Sequence, residues 1–334
     1  MSELNPPQDT SSRAAGLAGS FFGAVFTAAS FVLITLFTFS LCGRYSLVAE
    51  LVSNFRAQML AGLLICTLGS ICFQRWWTGM LLVIATIWCS IGVLSVYLQV
   101  EQASPGDTKI RIMSHNVLSG NRSYDAVKKQ VSEVDPDLFV IVEYDEKWHK
   151  AMQSIIEDGT YPYFVRAPRW HGFGVAIFSK LPLTDTQTYQ LTAEITDVPM
   201  VTAEFMVGDR KVRLAGVHAF SPTNADRLHL RNEQLTDMAK ILKQSDTPTI
   251  VMGDYNCVPW SPFLDDFLKQ TGYRDSRVGF GYQGSWSARY RWTAMIPIDH
   301  AFVSRKVHVH DRYIGESAGS DHFPVIVEIS ISRE

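Results

Sequence analysis

The feature that most constrains this chain is where its first hundred residues lack charge. No Asp, Glu, Lys or Arg lies between Arg13 and Arg44, between Arg56 and Arg75, or between Arg75 and Glu101, intervals of 30, 18 and 25 residues. About 20 apolar residues in a helix cross a hydrocarbon core. The pattern therefore predicts three transmembrane helices, at about 15–41, 57–73 and 77–98, of which the middle one is shortest. A secretory signal peptide fits the first segment poorly: its apolar run is too long, and the tail before it carries one Arg against Glu3 and Asp9. Buried helices of a soluble subdomain are usually shorter and keep a polar face. Trp76 and Trp77 beside Arg75 suit the headgroup layer, where amphipathic rings anchor.

Orientation is weakly written. With the N-terminus in the cytoplasm, Arg13 and Arg75 lie inside and Arg44 and Arg56 outside, a level tally, and no Lys precedes Lys109. Three crossings from an inside start place the C-terminal domain outside the cytoplasm, at a cell or inner membrane. Cys42, Cys66, Cys72 and Cys89 fall in or beside the spans, leaving Cys257 alone in the rest of the chain. One thiol builds no intradomain disulfide framework.

Residues 101–334 hold 26 basic and 30 acidic side chains, a formal charge of −4. Such a balance is a poor general magnet for a phosphate backbone. The division expected is a polar tail (1–13), a membrane domain (14–98), a linker (99–108) with Pro105 and Gly106, and a C-terminal domain (109–334). Within that domain strands and helices alternate. Strands are expected at Lys109–Val117, Leu138–Val142, Gly174–Ser179, Met200–Val207, Val212–His218, Thr249–Met252, His300–Val303 and Phe323–Ile329. Helical spacing marks Tyr124–Val134 and Arg227–Leu242. There is no internal repeat, and the mix favours an α/β (α+β) sandwich with one core.

Polar side chains recur where the most apolar strands end. Glu143 closes DLFVIVE, Asp254 closes TIVMGD, His218 closes VRLAGVH and Asn116 closes IRIMSHN. Asp299 and His300 precede AFVS, and Asp321 and His322 precede FPVIVEI. A carboxylate at the end of a buried strand is costly unless a cation or hydrogen-bond donors compensate it. Singly, each of these residues reads as a turn former or a satisfied structural histidine. Their joint occurrence does not.

In order, SHNVL (114–118), DPDLFVIVE (135–143), GFGVAIFSKLPL (172–183), VHAFSP (217–222), MGDYNCVPWS (252–261), IDH (298–300) and SDHFPV (320–325) resemble the endonuclease/exonuclease/phosphatase superfamily. The resemblance spans nearly the whole domain after the linker. It implies a four-layer sandwich of two β-sheets flanked by helices, and a metal-assisted attack of water on phosphorus. By that resemblance Glu143 is a metal ligand with Asn116 beside it, and Asp321 helps bind the ion, for which Mg²⁺ or Mn²⁺ suits oxygen donors. Asp254 and Asn256 match the pair that orients the nucleophilic water and holds a phosphate oxygen. His322 matches a histidine polarised by the residue matched by Asp299, and His218 one that donates to the phosphate. Which of Asp254 and His322 takes the water proton stays open.

The HAFSP block resembles the branch with secreted DNases, sphingomyelinases and inositol-phosphate phosphatases. Where the family often reads LQE, this chain has Val142 directly before Glu143. Together with the preceding apolar helices, that departure and GDYNCVPWS look like bacterial membrane-bound members related to a teicoplanin-resistance phosphatase. The expected partners are accordingly a lipid bilayer and a phosphorylated or lipid-linked phosphate substrate, with Trp170, Phe173, Trp260, Trp286 and Trp292 available to wall an amphiphilic pocket. A nuclease reading has only Arg289 and Arg291 to offer a nucleic-acid backbone. A non-catalytic phosphate-binding scaffold should have lost one of the matched residues, and all are present.

Overall fold

A computed structural model describes residues 10–98, 101–192, 196–290 and 295–333. It divides into two units, Met1–Gly43 with Val48–Val93, and Arg44–Leu47 with Leu94–Glu334.

The first unit is helical: α1 (Thr10–Ser40), α2 (Leu47–Ser53), α3 (Arg56–Cys72) and α4 (Trp76–Leu94). Gly19–Ser40 and Trp76–Tyr97 are each long and apolar enough to cross a membrane. The middle segment, expected at about 57–73, is the continuous helix α3 (Arg56–Cys72), which at 17 residues is short for a crossing on its own. Just before it, α2 and α3 meet at a 68° bend, so the described residues hold two candidate spans, or three if the bent pair is one. The apolar surface is not folded away: Phe21, Phe22, Ile65, Leu68, Trp77, Trp88 and Ile91 are each at least 60% exposed. Water does not tolerate a patch of that size on a monomer, whereas lipid tails do. Inside the helices, hydroxyls of Thr27, Ser30, Thr38 and Thr67 bond the carbonyl four residues back, which satisfies a polar group where water is absent.

In the second unit the order is β1 (Lys109–Asn116), α5 (Tyr124–Val134), β2 (Leu138–Val142), α6 (Glu146–Ala151), α7 (Gln153–Glu157), β3 (Tyr163–Ala167), β4 (Val175–Ser179), β5 (Thr184–Leu191), β6 (Val198–Val207), β7 (Arg210–His218), α8 (Ala225–Leu242), β8 (Thr249–Asp254), α9 (Pro262–Thr271), β9 (Arg274–Asp275), β10 (Asp299–Val303), β11 (Val307–Ile314) and β12 (Val325–Ile331). The strands form two six-stranded sheets, β11-β12-β1-β2-β4-β3 and β5-β6-β7-β8-β10-β9.

Each sheet holds one parallel pair, β1 with β2 and β7 with β8, among antiparallel neighbours. The central strands are buried on both faces, which is why Leu138–Val142 and Val175–Ser179 read as unbroken apolar runs. Ile112, Val140, Val142 and Ile177 of one sheet meet Val201, Leu214, Ile250 and Met252 of the other in the central layer. Burying each such side chain is worth about 1.5–3 kcal/mol. The outer faces are closed by helices. Val127 and Val131 of α5 and Trp148 of α6 cover Phe139 and Ile141. Leu235 and Met238 of α8 and Leu264 and Phe267 of α9 cover Ala215, Val251 and Phe302. The result is the four-layer sandwich expected.

This topology brings the functional candidates together. The parallel strands β1, β2, β7 and β8 deliver Asn116, Glu143, His218 and Asp254 at or just beyond their C-terminal ends. In register, His218 lies opposite Asp254, and Asp254 opposite Asp299 at the start of antiparallel β10. The turn before β12 supplies Asp321 and His322.

Candidate active site

Asn116 is the hub. Its Nδ2 donates to Glu143 Oε1 at 3.1 Å and to Asp254 Oδ2 at 3.0 Å, and lies 3.4 Å from His322 Nε2. Its Oδ1 accepts from the Leu118 N–H at 3.0 Å, which fixes the amide with nitrogen inward. Asn116 is thus a donor to the carboxylates here, and its oxygen would meet a cation only if the amide turned over.

Glu143 sits partly exposed at the mouth, with φ +61°. A left-handed glutamate is strained and persists only where its surroundings impose it. The Ser119 N–H bonds its Oε2 at 2.8 Å. Asp254 is buried, and its Oδ1 accepts from the Asn256 N–H at 2.8 Å. Burial, reinforced by the negative charge of Asp299, pushes the Asp254 carboxyl up to about 7. Gly253, immediately before it, has φ +149°, and a Cβ there would stand 1.9 Å from the Val217 carbonyl oxygen.

His322 Nδ1 is 2.8 Å from Asp299 Oδ2, and its Nε2 is 3.7 Å from Asp254 Oδ2. Burial alone would hold this imidazole neutral. The adjacent Asp299 carboxylate overrides it through its charge and hydrogen bond, with help from Asp254 and Asp321, and raises His322 to about 10. The turn is braced by Ser320, whose Oγ donates to the Asn116 carbonyl at 2.7 Å and accepts the His322 N–H at 3.1 Å. His218 Nε2 is 3.8 Å from Asp254 Oδ2; burial lowers its pKa against the pull of Glu143, so this imidazole is neutral.

Asn256 has φ +49° and donates one amide hydrogen to the Ala219 carbonyl at 3.0 Å, leaving its second for a ligand. Asp321 Oδ2 accepts from Trp286 Nε1 at 3.1 Å, while its Oδ1 is buried without a hydrogen-bond partner. Glu143 therefore meets Asp254 and His322 through one shared nitrogen, and Asp321 faces Trp286.

Among the described residues, one cluster and two separate carboxylates bear on a cation. Asp254, Asp299 and His322 offer ligand atoms within 4.8 Å of one another, but the Asp299–His322 hydrogen bond already occupies two of those atoms. Glu143, with a spare lone pair on each oxygen, and the unpartnered Asp321 Oδ1 are hard donors of the kind Mg²⁺ and Mn²⁺ prefer.

Aromatic rings flank this cluster unevenly. Phe173 lies 5.0 Å from the His218 ring and 4.6 Å from Phe220, centroid to centroid. Trp170 is 86% exposed, while Trp260 and Trp286 pack on Val258, Ile296 and Ile298. Arg289 is exposed; Arg291 and Trp292 lie outside the described residues.

The sequence profile of the Endonuclease/Exonuclease/phosphatase family matches residues 113–322, which run from β1 to His322. The chain belongs to the Endonuclease/Exonuclease/phosphatase family. Members of this family are phosphoester-hydrolysing enzymes, generally dependent on a divalent metal, and the chain is a hydrolase of that class. Similar solved structures include D. rerio TDP2 complexed with single strand DNA product, with TM-score 0.56 and 15% identity over 67% of this chain and 100% of that one. The human Nocturnin catalytic domain with bound sulfate anion gives 0.55 and 18% over 67% and 95%. A functionally unknown conserved protein from Enterococcus faecalis V583 gives 0.55 and 20% over 67% and 100%. At these identities the likeness is one of fold. No curated protein matches the sequence.

Several contributors to the Endonuclease/Exonuclease/phosphatase site were not singled out from the sequence. The Ser119 amide and the Ser320 hydroxyl hold Glu143 and Asn116, and Ser285 Oγ accepts the Asp299 N–H at 3.1 Å. Ser320 opens the SDHFPV block and Ser119 directly follows SHNVL, so position beside a strand-end polar residue could have found those two, whereas Ser285 has no such signal.

Proposed function

We propose that the chain is a membrane-anchored, Mg²⁺- or Mn²⁺-dependent phosphoesterase that cleaves a phosphomonoester, a phosphodiester or a lipid-linked phosphate, with its catalytic domain outside the cytoplasm. The observation that carries the reading is the convergence of Glu143, Asp254 and His322 on the amide of Asn116. Residues far apart in sequence gain such proximity only at a common purpose or by costly accident, because a buried carboxylate such as Asp254 loses hydration and is repelled by a second one nearby.

A cation held by Glu143 and Asp321 would neutralise the phosphoryl oxygens and the charge growing on the leaving group. Asp254 is the group placed to take the proton of the attacking water. Its carboxyl, pushed up to about 7, titrates near neutral pH, where a general base works best. His322, kept as imidazolium by Asp299, stabilises charge on the phosphorus-bound oxygens. Neutral His218 and the free amide hydrogen of Asn256 bind the same oxygens from the opposite sheet.

The apolar helices support a bilayer as partner, and tethering raises the enzyme's local concentration at a membrane-borne phosphate. The charge of −4 after residue 100 favours such a substrate over nucleic acid. The test compares Mg²⁺ with chelator on the detergent-solubilised chain, using a phosphomonoester, a phosphodiester, a lipid diphosphate and plasmid DNA. Metal-dependent turnover abolished by Asp254→Ala is expected. Turnover unaffected by that substitution would sink the mechanism, and salt-sensitive plasmid cleavage alone would reassign the enzyme as a nuclease.

A further inference from the structure

Behind the Asp254–Asn256 pair, two buried polar side chains reach consecutive carbonyls of one turn. Arg231, from α8 on the outer face of its sheet, is 1% exposed and donates Nη1 to the Asn256 carbonyl at 3.1 Å. His300, on β10 and fully buried, has Nε2 at 2.8 Å from the Cys257 carbonyl. We propose that Arg231 and His300 are positioning residues that clamp the Asn256–Cys257 turn in the shape the reaction needs. The proposal rests on the reading that Asp254 and Asn256 act on the phosphate.

The turn needs holding. Asn256 is left-handed at φ +49°, a conformation that asparagine tolerates but does not prefer. Its own N–H fixes one oxygen of Asp254, and its side chain carries the hydrogen offered to substrate. A relaxed turn would therefore misplace both groups at once.

The imidazole is oriented for this role. Its Nδ1 lies 3.4 Å from both Nη1 and Nη2 of Arg277. A guanidinium can only donate, so Nδ1 carries the lone pair and Nε2 the hydrogen that Cys257 accepts. Arg277 is itself held by Asp275 at 2.8 Å, and it donates Nη2 to the Asp299 carbonyl at 3.1 Å. The same buried network thus grips the strand end that carries Asp299 and the turn that follows Asp254. Packing alone does not account for it, since apolar side chains fill such space without burying a cation.

The experiment uses the full chain in detergent with Arg231→Met, Arg231→Lys, His300→Phe and His300→Gln, and Leu235→Ala as a control that removes apolar packing from α8 without removing a hydrogen bond to the turn. Arg231→Met and His300→Phe should lower kcat by ~10–100-fold with KM within ~2-fold, the cost of a misplaced reacting group. Lys and Gln, which restore an N–H donor, should recover part of the loss. Leu235→Ala should lower the melting temperature and spare kcat. Unchanged kcat in the Met and Phe variants, or a loss in Leu235→Ala that matches theirs at equal stability, overturns the clamp. If the parent cleaves no phosphoester, the functional reading fails on its own. Amide hydrogen exchange across Asn256–Val258 then decides the clamp: faster in the Met and Phe variants than in Leu235→Ala supports it, and equal exchange overturns it.

Discussion

Replacing Asp299 by asparagine should destabilise the catalytic domain by an amount that depends on pH in a specified direction. In the parent, the pKa of His322 rises from 6.5 to about 10 because the Asp299 carboxylate outweighs burial. At about 1.4 kcal/mol per pKa unit this corresponds to no more than about 5 kcal/mol, and breaking one side of a buried ion pair costs about 3–5 kcal/mol. The substituted amide keeps an oxygen for the imidazole but no charge, so burial would pull His322 back toward neutrality. For a domain of this size each kcal/mol moves the melting temperature by roughly 2–4 °C. The expected drop near neutral pH is therefore roughly 6–20 °C.

The sign follows from linkage. A histidine whose folded pKa is raised contributes fully below its unfolded value of 6.5, and the contribution is lost as pH climbs through about 10. The gap between parent and variant should be widest near the lower value and should close toward the upper one. Differential scanning fluorimetry of the two detergent-solubilised chains across that interval measures it. A gap absent near the lower value, or constant across the interval, would refute the claim that Asp299 holds His322 charged.

Three other outcomes are expected. Gly253→Ala should cost more than ~4 kcal/mol and leave little folded protein, since its Cβ meets the Val217 carbonyl at 1.9 Å on a backbone that L-residues avoid; parent-like melting would contradict it. Glu143→Gln should raise the Mg²⁺ concentration for half-maximal activity by ~10-fold or more, and a metal titration identical to the parent's would remove Glu143 from the metal site. A reporter active only outside the cytoplasm, fused to the C-terminus, should give signal; silence would place the catalytic domain inside.

The polar side chains that the structure gathers around Asn116 were more legible in the sequence than several of the elements around them. Every matched residue stands at the end of a strand or in the turn beside one, and burial forces polar side chains there to have partners, so Glu143, Asp254 and His322 stood out against their apolar runs. The amide orientation of Asn116 was not legible, because it depends on a backbone N–H two residues away. Nor were Arg231 and Arg277, whose roles arise from tertiary placement rather than motif.

Among the strands, Thr184–Leu191 escapes hydrophobic periodicity because it is a sheet edge with nearly all side chains exposed. Val307–Ile314 is interrupted by a register shift between Val309 and Asp311, which breaks its alternation. Helix α9 does carry start signals in Ser261 and Pro262, but its ten residues are too few to establish a helical repeat. The middle apolar segment was legible as the helix Arg56–Cys72, whereas the short helix before it and the 68° bend between the two leave no signal in the spacing of charges.

That bend leaves two parities open to the chain. If α2 and α3 dip into the bilayer and return, the chain crosses twice and both of its ends share a compartment; if together they traverse it, the ends are separated. The compartment that the C-terminal domain faces thus turns on how these two helices are seated about their joint, Asn54 and Phe55. Should the pair be re-entrant, a substitution that straightens this joint would move the C-terminal domain to the other face of the membrane without touching the candidate site.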